Sequence, residues 1–245
     1  MRKVVVRIII CIAAILIVAT CFSACNKADI NTREIDYSID NSFEVLVTET
    51  DNSLIFQPKD KDYKYGIIFY VGTFIAPDSY THISELIAAQ GFLVIIPKVN
   101  LNLAYINYND IEAAFTDYPE VSFFVGGHSQ GGGAAIRRAY AERERIIGAV
   151  LYSPLCYEND TLNDLEIPVL LIEAENDLIL DATMKADALS RMPEEYTHIT
   201  IAGSNHMGYC DDEIFVDGAQ IITKEEMQNT VVAHTLTFMK QIINA

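Results

Sequence analysis

Residues 126–133 read Gly126-Gly127-His128-Ser129-Gln130-Gly131-Gly132-Gly133. They follow the apolar run Val121–Val125 and lead into a helix-like stretch from Gly131 to about Arg145. Within them, Gly127-x-Ser129-x-Gly131 is the spacing of a sharp strand-to-helix turn that lifts a serine hydroxyl clear of the backbone. Gly127 and Gly131 leave room for that turn, and Gly132 and Gly133 let the helix approach neighbouring strands closely. The chemistry such a serine can do is nucleophilic attack on a carbonyl. The competing reading is a glycine-rich phosphate loop at a helix start. The segment lacks the lysine of a P-loop and the glycine spacing of a dinucleotide fingerprint, so Ser129 is read as a nucleophile.

A serine hydroxyl needs a base to take its proton. Five histidines are available. His128 neighbours the serine in sequence and is expected to point into the fold as a packing residue. His82 and His234 fall in helix-like stretches and His198 in a strand-like one. His206 alone lies in a loop just after the last strand, in Gly203-Ser204-Asn205-His206-Met207-Gly208. An imidazole there can swing over the serine. It must be held in one tautomer by a carboxylate, for which the turn Glu175-Asn176-Asp177-Leu178-Ile179 offers two choices. Asp177 is the expectation, because Leu178 and Ile179 could bury it; Glu175 is the reserve, expected to face solvent. An oxyanion would need two preorganised N–H donors. Gln130 N–H, at the start of the helix, is one; Thr73 N–H, in Gly72-Thr73-Phe74, is the other, with Phe74 as its alternative.

These loops presuppose strands that end beside them. Phe43–Val47 and Ser53–Phe56 flank Thr50-Asp51-Asn52 as a hairpin. Tyr65–Val71 is a continuous apolar run, as expected of a strand covered on both faces. A helix follows over Asp78–Gln90, stopped by Gly91, then a strand over Phe92–Ile96. Asn109–Thr116 is helical, and strands are predicted at Ile147–Tyr152, Pro168–Ala174 and Tyr196–Ala202. Helices are predicted at Ala182–Arg191 and from about Lys224, the last opened by the capping pattern Thr223-x-x-Glu226. Strand and helix in alternation predict a single α/β domain over residues 42–245, with a mainly parallel sheet and helices on both faces. Only a short stretch, Ser153–Glu166, separates two of its strands, so any lid is minimal or absent.

The first residues form a different unit. Arg2, Lys3 and Arg7 precede an uncharged apolar run from Ile8 to about Ala19, followed by Phe22-Ser23-Ala24-Cys25. This is the layout of a secretory signal over residues 1–24, and its end resembles a bacterial lipobox, which implies lipidation at Cys25. The alternatives are ordinary cleavage and an uncleaved anchor, but Ile8–Phe22 is short for a span of roughly 20 residues. Residues 25–41 are polar and read as a tether, so the expected location is extracytoplasmic, lipid-anchored on a bacterial cell membrane. Outside the cytoplasm Cys156 and Cys210 could pair, but nothing in their spacing requires it. With 17 Lys and Arg against 34 Asp and Glu, the formal charge is -17, and such a chain is repelled by nucleic acid. No Cys-His spacing suggests a metal site and no organic cofactor is expected; no protein partner is evident.

From about Tyr65 onward the chain resembles the α/β-hydrolase superfamily, and more closely a group of bacterial members that are often membrane-anchored or lipoproteins. The resemblance lies in Gly72–Tyr80, Pro97–Ala104, the Ser129 turn, Asn205-His206, and Asp217-Gly218-Ala219-Gln220-Ile221-Ile222-Thr223. Val71 stands where a proline is common and Gln130 where a leucine is common. The resemblance implies an α/β-hydrolase domain with Ser129, Asp177 and His206 as its triad, in the chain order of that fold. The expected activity is hydrolysis of a small neutral carboxylic ester through an acyl-enzyme. A silent surface-binding lipoprotein and an amidase or peptidase are the alternatives.

Overall fold

The structure, a computed structural model, describes residues 42–106 and 111–244. The expected signal at 1–24, the lipidation site Cys25 and the tether at 25–41 lie outside the described residues, as do residues 107–110. Eight strands form one sheet in the order β1-β2-β4-β3-β5-β6-β7-β8. They are β1 (Val45–Glu49), β2 (Ser53–Pro58), β3 (Tyr65–Tyr70), β4 (Leu93–Pro97), β5 (Ser122–His128), β6 (Ile146–Tyr152), β7 (Val169–Ala174) and β8 (Thr197–Ile201). β1 and β2 form the expected hairpin and join β4 antiparallel; β3 to β8 run parallel. In β3 to β7 most successive residues are buried. Burial at every position, rather than every second one, means that both faces are covered.

The helices are α1 (Thr81–Ala88), α2 (Ile111–Asp117), α3 (Gln130–Ala141), α4 (Ala182–Ser190) and α5 (Lys224–Ile243). The helix expected over Asp78–Gln90 divides: Pro77–Tyr80 is a 3₁₀ turn and the α-helix begins at Thr81. Proline at the first position of that turn fixes the entry without needing an N–H there. α3 packs on β3, β5 and β6, and α1 lies against α5. Caps set two of the helix starts: Asp181 accepts Thr183 and Met184 N–H at 2.9 Å, and Thr223 accepts Glu226 N–H at 3.1 Å. Each spares the helix an unpaired N–H.

The sheet order reverses around β3. The chain passes from β3 to β4 on one side, then crosses back to β5 on the other. The loops leaving β3 and β5 therefore diverge, which opens a crevice at their carboxyl ends. Tyr70 of β3 is paired with Gly127 of β5, so the next residues along each strand, Gly72 and Ser129, rise side by side at this crevice. Residues 153–168, between β6 and β7, contain no helix or strand, in keeping with the expected absence of a substantial lid.

Candidate active site

Ser129 joins β5 directly to α3 with φ 54° and ψ -123°. That conformation is sparsely populated for a residue with a Cβ and is held only where the surroundings enforce it. Backbone bonds do so here. Ser129 N–H donates to Tyr152 O at 2.9 Å, and Ser129 O accepts from Leu155 N–H at 2.8 Å and Gly132 N–H at 2.9 Å. A Cβ at Gly127 would collide with the Gly131 carbonyl, and one at Gly131 with the carbonyls of Tyr70 and Val71. The glycines expected to make room for the turn are thus the places where backbone meets backbone.

His206 and Asp177 come together. His206 Nδ1 is 2.8 Å from Asp177 Oδ2, and both residues are buried. The Asp177 carboxyl has a second set of partners: Oδ1 accepts Ile179 N–H and Leu180 N–H, each at 2.9 Å. Burial pushes this carboxyl up, but the His206 bond and charge, the Leu180 N–H and the Lys185 ammonium outweigh it and hold it below its ordinary value. Glu175 goes elsewhere. It is exposed, and its Oε2 accepts Gly203 N–H at 2.7 Å. Leu178 does not shield Asp177 as expected, being 75% exposed. The turn instead aims its own N–H groups at the carboxylate and points Leu178 outward.

His206 was expected in a loop and opens a short 3₁₀ turn, His206–Tyr209, capped by Asn205, whose side chain accepts Gly208 N–H at 3.0 Å. The His206 ring lies over the elbow: its centroid is 4.5 Å from that of His128, the chain neighbour of Ser129. Ser129 and His206 do not hydrogen-bond to each other here; such bonds commonly tighten only around substrate. The other histidines are occupied in their own elements. His82 Nε2 meets Asn229 Oδ1 at 3.0 Å, and His198 Nε2 meets Glu173 Oε2 at 2.6 Å. His234 lies within α5.

The two expected oxyanion donors stand at the crevice. Gln130 is the first residue of α3, so its N–H is one of the helix's unpaired donors. Of the two residues after Gly72, Phe74 N–H is taken by Asn102 O at 2.9 Å. Phe74, the alternative to Thr73, therefore has its N–H engaged. Tyr80 holds this loop in place and was not singled out from sequence. Its hydroxyl accepts Gly72 N–H at 2.9 Å and meets His128 Nδ1 at 2.8 Å. Its hydroxyl thus ties the Gly72 loop to the buried His128 ring. Burial, helped by the adjacent His206, pushes the His128 imidazole well below its ordinary value, which favours its neutral form. The only sequence signal for Tyr80 was its place at the end of the Gly72–Tyr80 stretch.

Cys156 and Cys210 are both free thiols. Burial pushes each up to about 12, so neither offers a thiolate nucleophile at neutral pH.

The profile of the alpha/beta hydrolase family matches residues 66–229; the chain belongs to that family. A curated relative, the cutinase Est2 of Thermobifida alba, is 28% identical over 173 residues, covering 62% of this chain and 56% of its own length. The chain thus matches little more than half of that relative.

Proposed function

We propose that this chain is a serine carboxylic-ester hydrolase that works through an acyl-enzyme on Ser129. The observation that carries the reading is the buried 2.8 Å contact between His206 and Asp177, with the His206 ring packed on the residue beside a strained Ser129. In this reading Asp177 accepts a hydrogen bond from His206 Nδ1–H, which leaves Nε2 free as a base. His206 takes the Ser129 proton as Oγ attacks the ester carbonyl, and the oxyanion is met by the N–H groups of Gln130 and Thr73. Collapse expels the alcohol, which takes the proton from His206. Water, deprotonated by the same imidazole, then releases the acid and restores Ser129. None of these steps asks for a metal or an organic cofactor.

The ester preference over an amide draws on the cutinase relative, itself an ester hydrolase by name. A small neutral substrate suits both the short 153–168 connection over the crevice and a chain of charge -17, which repels anions at long range. Attachment to the outer face of a bacterial membrane through Cys25 is part of the same proposal and rests on the N-terminal sequence.

Ser129→Ala tests the reading. It removes one hydroxyl and should leave unfolding unchanged, while kcat on a short-chain ester falls by about 10⁴ to 10⁶, the usual cost of losing a triad member. Activity above about a tenth of wild type would remove Ser129 from the mechanism. A matched panel of esters and amides, read as kcat/KM, decides between esterase and amidase.

A further inference from the structure

The segment Asp217-Gly218-Ala219-Gln220 has no role in the steps above, yet it touches the chain on both sides of Asp177 and of His206. Asp217 Oδ1 accepts the N–H of Leu178, the residue after Asp177, at 3.0 Å. Asp217 Oδ2 accepts the N–H of Met207, the residue after His206, at 2.9 Å. On the other flank, Asn176 Nδ2 donates to Ala219 O at 2.9 Å. Asn205 N–H donates to Gln220 Oε1 at 2.8 Å, and Asn205 Nδ2 to Gly218 O at 2.8 Å. All four residues that flank the acid and the imidazole are therefore bonded to one four-residue strap. Gly218 allows the approach, since a Cβ there would strike the Asn176 carbonyl.

Burial does little to hold this strap. Ile214 and Phe215 just before it are exposed, and Val216 is 99% exposed. Its place is set by polar bonds, and the bond that spans both catalytic loops through a single side chain is the Asp217 carboxylate. We propose that Asp217 is a positioning residue that fixes the loop after β7 and the loop after β8 in register, so that Asp177 meets His206 Nδ1. The inference rests on the serine-hydrolase reading and assigns Asp217 no contact with substrate.

A carboxylate suits this task because it has an acceptor at each end. Its two oxygens serve one loop each, with Gly218 N–H sharing Oδ1 at 2.7 Å. An asparagine has one acceptor oxygen. Whichever way its amide turns, an NH₂ faces either Leu178 N–H or Met207 N–H, and one loop is released.

The test is Asp217→Asn in the full chain, assayed on a short-chain ester beside wild type. kcat and kcat/KM should fall together by about 10- to 100-fold, with KM within about twofold, as for an ångström-scale misplacement of a reacting group. The low-field proton resonance of the His206–Asp177 hydrogen bond should shift or broaden, and the rate of Ser129 phosphonylation by a fluorophosphonate should fall with kcat. A folded Asp217→Asn protein with kcat within about twofold of wild type and an unmoved imidazole proton overturns the proposal, even if its melting temperature drops. So does a raised KM at unchanged kcat, which would put Asp217 on the substrate. Should Asp217→Asn not fold, Gln220→Leu removes the acceptor of Asn205 N–H and leaves Asp217 in place. A smaller loss in kcat at constant KM is then expected, and an unchanged kcat counts against the strap. A wild-type chain that fluorophosphonate does not label at Ser129 sinks the serine-hydrolase reading itself. Normal labelling of wild type with normal reactivity of Asp217→Asn sinks only the present inference.

Discussion

Ser129 and the Asp177–His206 pair ride on different strands of the sheet and are held by different means. The serine is positioned by backbone alone: main-chain bonds on its own peptide groups and glycines pressed against carbonyls. Asp177 and His206 ride on loops after β7 and β8 and are positioned by side chains that reach the backbone from elsewhere. Asp177 takes two N–H groups of its own turn, Glu175 takes Gly203 N–H, and Asp217 and Gln220 take the N–H groups beside both residues. A site built from backbone collisions tolerates almost no added volume but is indifferent to charge. A site built from carboxylates and N–H groups tolerates volume better and depends on ionisation.

Substitutions can break either side separately. Among substitutions that leave Ser129 in place, the largest effect is expected at Asp177. Asp177→Asn keeps the shape of the turn but can present an NH₂ to His206 and favour the wrong tautomer, and kcat should drop by about 10⁴ on the serine-protease precedent. Steady-state kinetics on one ester checks this. A loss at Glu175→Gln larger than at Asp177→Asn would reverse their roles.

Next comes the backbone side. Gly131→Ala drives a methyl into the carbonyls of Tyr70 and Val71, neither of which can swing away. Stability should fall by about 3 kcal/mol, the upper end for overpacking, by the same amount at every pH. Denaturant unfolding at two pH values measures it, and a loss that varies with pH would blur the distinction between the two sides.

The pH dependence of stability belongs to the other side. Folding holds the Asp177 carboxyl below its ordinary 3.8, so it favours the ionised form. That contribution is complete above the ordinary value and is lost as pH falls through the lower folded-state value. The acid limb of a stability-against-pH curve, below about pH 4, should therefore be shallower in Asp177→Asn than in wild type. Equal slopes would mean that Asp177 is not held in its charged form.

The smallest effect is expected at Glu175→Gln. The amide oxygen can still accept Gly203 N–H, and kcat/KM should change by less than about threefold, as for an exposed group with its bond preserved.

The same contrast explains what could be read from sequence. The serine side was legible because a backbone-built turn leaves its signature within a few residues: Gly127, Ser129 and Gly131 between a buried strand and a helix. Thr73 could be read only as one of two choices, because what separates it from Phe74 is the Asn102 carbonyl, far along the chain. Asp177 rather than Glu175 meets His206, but the expected shielding by Leu178 is absent; the turn's own N–H groups hold the carboxylate. Tyr80 and Asp217 lie in stretches that carry the resemblance, but nothing in the sequence marks what either side chain does. Each acts across a loop on residues distant in sequence, and a polar side chain in an irregular stretch looks the same whether it clamps a loop or faces water. The break of the first helix at Tyr80 was hidden for a similar reason, since 3₁₀ and α turns share apolar spacing over one turn.

The central claim is that Ser129 is a nucleophile activated by His206 and Asp177. Incubating the full chain with a fluorophosphonate and mapping the adduct by peptide mass spectrometry tests it most directly. The account predicts one phosphonyl group per chain, on Ser129, with labelling greatly slowed in Asp177→Asn and ester turnover lost in step with labelling. An unlabelled Ser129 in a chain that still turns over esters, or equal labelling in wild type and Asp177→Asn, would contradict it.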